Sequence, residues 1–78
     1  MNYKYYKFVG GKYFRTNNEE EFQVVNENNM WEQDDLVFYL FIDPSVDYVE
    51  ITNDKELDYL KNIPNKYEGE IKKWFTLN

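Results

Sequence analysis

The chain contains no cysteine and no histidine. Disulfide staples, thiolate zinc sites and imidazole ligands are therefore excluded, as are the most frequent general base and the most frequent catalytic thiol. Serine occurs once, at Ser45, beside Pro44 in a turn-like segment, with no imidazole to activate it. A Ser-His-Asp reading fails outright. Paired carboxylates can cleave glycosides in principle, but a domain of this size has little room for the cleft that such a pair requires. Asp43, Asp47 and Glu50 lack the alternating ligands and central glycine of a calcium loop. The GGK at Gly10–Lys12 lacks the rest of a phosphate-binding loop. The expectation is a protein that is not an enzyme and needs no cofactor or metal.

Long apolar runs are missing as well. The longest is LVFYLFI, Leu36–Ile42, far below the ~20 residues of a membrane-spanning helix. The N-terminus is rich in tyrosine and lysine and has no apolar signal-peptide core. There is no N-x-[ST] sequon, and glycine and proline are too few for linkers. A single domain, 1–78, in the cytoplasm, with no role for membrane, is the expected setting.

Aromatic residues, in contrast, are abundant: eight Tyr, six Phe and two Trp among 78 residues. A chain this short buries only about 60% of the surface that it exposes when unfolded. Each ring brings roughly 150–250 Å², so some rings are expected to remain at the surface, where Tyr and Trp are enriched in contact patches.

Along the chain, the runs Tyr3–Val9 and Lys12–Thr16 are β-formers separated by Gly10-Gly11. They read as an N-terminal hairpin, 3–16, with a two-residue turn. That register pairs Val9 with Lys12, Phe8 with Tyr13 and Tyr6 with Arg15, and places Phe8, Tyr13 and Tyr6 on the core face. Phe22 and Val24 alternate as in a half-buried strand, Asn26–Asn29 form a turn, and Met30 and Trp31 return along it. Leu36–Ile42 is apolar at every position, which suits a central strand buried on both faces. A two-turn helix capped by Asp34 or Asp35 competes with it. Asp43-Pro44-Ser45 turns the chain into a strand over Val46–Ile51.

Two helices are expected. One runs over about 53–62, capped by Thr52 or Asn53, with Asp54 and Glu56 in its first turn, Lys61 in its last and Pro64 beyond it. The other runs over about 66–76, with Tyr67, Ile71, Trp74 and Phe75 on one face and a strand as the competing reading. The fold class is α+β: a small antiparallel sheet of four to five strands with one or two helices packed on one face.

Charge is segregated along the chain. Residues 1–16 carry four cations and no acid, residues 17–60 carry thirteen acids against Lys55 alone, and residues 61–78 carry four lysines and two glutamates, within a net charge of −6. The acidic middle is the strongest functional signal. It would attract a basic protein partner and compete with nucleic acid for it. The candidate partner-binding residues are Glu19, Glu20, Glu21, Asp34, Asp35, Asp43, Asp47, Glu50, Asp54 and Asp58. Small acidic proteins that inhibit restriction, repair or CRISPR enzymes by charge mimicry are similar in size and balance, without a shared motif. The reading is a non-catalytic protein-binding domain, most concretely an acidic charge mimic that inhibits a nucleic-acid-handling protein. The alternatives are a single-stranded nucleic-acid binder using Tyr3, Lys4, Tyr5, Tyr6, Lys7, Lys73 and Trp74, which the net negative charge opposes, and a purely structural or self-associating domain, in which the basic ends neutralise the acidic middle and tyrosine-rich sheet edges could join a homodimer.

Overall fold

The computed structural model describes residues 2–66. The first strands form a meander. β1 (Lys4–Phe8), β2 (Tyr13–Asn17), β3 (Glu21–Val25) and β4 (Trp31–Gln33) pair in sequence order, all antiparallel. The chain then forms α1 (Val37–Ile42), a fifth strand β5 (Tyr48–Glu50) and α2 (Asp54–Lys61). β5 pairs with β1, so the sheet order is β4-β3-β2-β1-β5. This is the α+β arrangement expected, with the N-terminal hairpin in place.

The topology requires two crossings. β4 and β5 lie on opposite edges, separated by four strand spacings of about 4.8 Å each. The segment between Gln33 and Tyr48 has to traverse the sheet, and α1 lies on that path. After β5, α2 and the residues behind it return over the other face, until Trp31 N–H donates to Pro64 O (2.8 Å) and Trp31 bridges Asn65. Adjacent residues of a strand face opposite ways. Tyr5 therefore packs with Trp31, Ile51, Leu57, Leu60 and Ile63 beneath α2, while Tyr6 packs with Phe14, Phe22, Val24, Val37 and Phe41 beneath α1. Each helix covers its own face, which corrects the expectation of helices packed on one face: the chain crosses the sheet once on each side.

Two further expectations need correction. The first is the hairpin register. Phe8 N–H donates to Lys12 O (2.9 Å), Gly11 N–H donates to Phe8 O (2.8 Å), and Gly11 has φ +97°. The loop is thus three residues, Val9–Gly11, with its last residue in the left-handed region that glycine adopts without steric cost. Tyr6 pairs with Phe14 and Tyr5 with Arg15. A one-residue slip transfers side chains to the other face, so Phe14 joins Tyr6 and Phe8, and Tyr13 joins Tyr5.

The second correction is Leu36–Ile42, which forms α1 rather than a central strand. Strands β1 to β3 already fill the interior of the sheet, so no position buried on both faces is left for this segment. The Asp34 carboxylate accepts from Leu36 N–H (3.0 Å) ahead of the first turn, and Tyr48 Oη donates to Phe41 O (3.3 Å) in the last. The helix at 53–62 is present as α2, with Asn53 Oδ1 accepting from Lys55 and Glu56 N–H at its start. Apart from Lys66, the expected helix 66–76 lies outside the described residues.

Candidate functional site

The feature that stands apart is the outer side of α1. Val37 is buried and Phe41 is half-buried, four residues apart on the inward face. The rest of the segment is apolar too, yet faces solvent: Leu36 is 71% exposed, Tyr39 64%, Ile42 58%, Leu40 43% and Phe38 38%. Single exposed apolar residues are ordinary, but five within the seven positions Leu36–Ile42 make an unusual concentration, an apolar patch along the chain. The patch is bracketed by Asp34 and Asp35 before it and Asp43 and Asp47 after it. No lysine or arginine occurs anywhere from Thr16 to Asp54.

Beside the patch lies a cleft of about 340 Å³ between the β2–β3 turn and α1, lined by Glu19, Glu20, Phe22, Asp35, Phe38 and Tyr39. Its rings meet steeply. Phe22 and Phe38 have centroids 5.7 Å apart at 64°, and Phe38 and Tyr39 lie 5.7 Å apart at 73°. Asp35 is held by Gln33, whose side-chain amide donates to Oδ1 (3.1 Å). Glu19 sits at φ +60°, after Asn18 at φ +54°, in the turn closed by Glu20 N–H donating to Asn17 O (3.1 Å). A glutamate held left-handed is uncommon, and here it projects an acid at the rim of the cleft. Among the described residues, no three carboxylates converge closely enough to ligate a metal ion.

Two other concavities are less distinctive. One, also about 340 Å³, is lined by Asn2, Tyr3, Lys4, Tyr6, Thr16, Asn18 and Glu19. Burial, with Glu50, Tyr48 and Glu19 nearby, pushes the Tyr6 phenol up from its ordinary value. The buried Thr16 hydroxyl has no hydrogen-bond partner among the described residues. With one cation and one acid in its lining, this hollow has no net sign. The other, about 280 Å³, contains Glu32 and Lys66. Those two pair at 2.6 Å, and the ammonium holds the Glu32 carboxyl below its ordinary range.

The acids singled out from sequence divide among these places. Glu19, Glu20 and Asp35 gather at the cleft. Glu21 opens β3, exposed. Asp34 holds the start of α1. Asp43 caps its end, where the Ser45 N–H (2.9 Å) and hydroxyl (2.7 Å) donate to Oδ1 and hold its carboxyl low. Asp47 and Glu50 belong to the β5 edge. Asp54 and Asp58 lie on α2, over the opposite face. Leu36, Phe38, Tyr39, Leu40 and Ile42 are absent from the sequence-based candidates because a strand reading put them inside. The i, i+4 pair Val37 and Phe41 was the available signal for a single inward face.

The basic, aromatic N-terminus is largely consumed by the fold. Tyr5 and Tyr6 are buried on opposite faces. The Arg15 guanidinium lies between the Tyr3 ring (4.0 Å) and the Trp31 ring (4.4 Å), donating to Gln23 Oε1 and Asn65 Oδ1. The Lys7 ammonium lies 5.4 Å from the Tyr13 ring centroid. Lys73 and Trp74 fall outside the described residues. Among the described residues, no helix is long and apolar enough to cross a membrane. Comparison with protein-family models, curated proteins and solved structures finds no match.

Proposed function

We propose that the chain is a non-catalytic protein-binding domain of the cytoplasm that engages a basic partner through the outer side of α1. Its most concrete form is an acidic mimic that occupies the phosphate-binding surface of a nucleic-acid-handling protein. The observation that carries this reading is the coincidence of five exposed apolar side chains with flanking acids, in a stretch of 39 residues, Thr16 to Asp54, free of cations. Apolar anchors supply most of an interface's energy, and a surrounding field of one sign supplies its selectivity and speed of encounter.

The competing single-stranded nucleic-acid reading needs rings free to stack bases. Tyr5 and Tyr6 are committed to the core and Tyr3 to Arg15, which favours a protein partner. The decisive experiment is capture from cell lysate at low salt, comparing the wild type with a Leu36→Ser/Tyr39→Ser variant, followed by elution with duplex DNA. The expected result is enrichment of nucleic-acid-handling proteins that DNA displaces and that the variant fails to hold. Capture that is indifferent to the variant and to DNA would overturn the proposal. A gel shift with single-stranded oligonucleotides tests the alternative, and sedimentation at two concentrations tests for a homodimer.

A further inference from the structure

We infer that the cleft between the β2–β3 turn and α1 is a receptor for a single cationic side chain, an arginine presented by the partner. This rests on the protein-binding reading above and makes it specific.

The argument starts from what the cleft is made of. Phe38 and Tyr39 supply exposed rings that meet at 73°, and Phe22, itself buried, forms the floor beneath Phe38 at 64°. A flat organic cation placed among such rings can lie over one face and abut the edge of another. Rings attract cations through their negative faces, most strongly where water is excluded. Glu19, Glu20 and Asp35 line the same cleft. Among the described residues, neither Glu19 nor Glu20 is engaged in a side-chain hydrogen bond or an ion pair. Their carboxylates remain free to accept, whereas Glu32 is held by Lys66 and Asp43 by Ser45.

The composition discriminates between possible occupants. A metal ion needs converging oxygens, and no such trio exists among the described residues. An anion meets three carboxylates of its own sign. A neutral apolar side chain would leave those carboxylates desolvated without compensation. An extended cation with an apolar stem satisfies both the rings and the acids. Between the two natural candidates, guanidinium is planar, weakly hydrated, stacks on aromatic faces and donates in a fork to carboxylates. Ammonium is a compact, strongly hydrated point. The volume, about 340 Å³, accommodates one such side chain. Leu36 and Leu40, exposed in the same segment as Phe38 and Tyr39, can take the neighbouring residues of the partner.

The test uses defined probes. The full chain, labelled at its aromatic carbons, is titrated by NMR with the blocked tripeptide Leu-Arg-Leu and with its citrulline and lysine counterparts. Citrulline keeps the shape of arginine and lacks its charge. The expected result is saturable, millimolar-range binding of the arginine peptide, with shifts concentrated at Phe22, Phe38 and Tyr39. The citrulline peptide should not saturate and the lysine peptide should bind several-fold more weakly. Asp35→Asn and Tyr39→Ser, both at exposed positions, should each lower the affinity for the arginine peptide by about threefold, the loss of one exposed charge or ring contact. Unchanged affinity in both variants, equal binding of the citrulline peptide, or shifts confined to the hollow around Lys4 and Thr16 would overturn the assignment. Failure here with variant-sensitive capture from lysate removes the arginine receptor and leaves the binding face intact. Success here with no capture removes the partner reading and keeps the receptor.

Discussion

Among the described residues, the face under α2 gathers four rings and the face under α1 six, and the two are closed in different ways. Under α2 the closure is polar and long-range. Trp31 Nε1–H donates to Leu60 O (3.0 Å), Tyr13 Oη donates to Glu56 (3.2 Å), and Arg15 ties β2 to Asn65 while lying between two rings. Under α1 the closure is a lattice of rings, with Tyr6 stacked on Phe14 at 4.9 Å and Phe41 on Tyr48 at 5.1 Å. Few polar groups fix that side, and its helix keeps an apolar exterior. Directional bonds hold the first face to one arrangement. The second is held mainly by shape and leaves adhesive surface to spare. One face is finished by the fold, and the other carries the surface proposed above for a partner.

Several substitutions would break or sharpen that contrast. The largest effect is expected at Trp31→Ala, which removes a ring 1% exposed together with its bond to Leu60 and its contact with Arg15. A loss of about 3–5 kcal/mol, read by denaturant unfolding, is enough to abolish folding in a chain this small. Asn53→Ala, still on the α2 side, removes the acceptor for two N–H groups and should cost about 1 kcal/mol. On the other side, Glu19→Gly relieves a left-handed glutamate and should stabilise the fold by about 0.5–1 kcal/mol, while removing one carboxylate from the cleft and weakening the arginine peptide. Tyr39→Ser and Ile42→Ser should change stability by less than about 0.5 kcal/mol each. If they destabilise as much as core substitutions do, α1 is packed more like α2 than the exposures indicate.

The smallest effect concerns pH. Asp43 is held low by Ser45 N–H and then by its hydroxyl, and Glu32 is held low by Lys66. A depressed carboxyl contributes stability that is complete above its unfolded value and is lost as pH falls through the folded one. Stability should therefore decline on acidification below the ordinary carboxylate range, and Ser45→Ala should flatten that decline. Tyr6 and Tyr13 are raised, first by burial and then by Glu50 for Tyr6 and by the Glu56 hydrogen bond for Tyr13. Their contribution has the opposite sense. It is present below about pH 10 and lost as the solution becomes more alkaline.

Local chemistry made much of the fold legible. Asn53 before an acidic first turn, Asn26–Asn29 between two short apolar stretches, and the alternation of Phe22 and Val24 each carry their own physical cause and appear where expected. What was illegible depended on geometry beyond a few residues. Gly10-Gly11 fits a two- or a three-residue loop equally well, and the choice fixed which rings share a face. Leu36–Ile42 is apolar throughout, so periodicity could not separate strand from helix. The decision came from the need to travel between opposite edges of the sheet. The cleft was legible only in part. Its acids stood out as charges, but Phe38 and Tyr39 read as interior with the rest of their run, and Phe22 read as one side of a half-buried strand.

Because α1 lies in the connection between the two outermost strands, anything that clamps it also restrains the ends of both. Occupation of the helix should then slow amide exchange in Trp31–Gln33 and in Tyr48–Glu50, at opposite borders of the molecule and away from the point of touch.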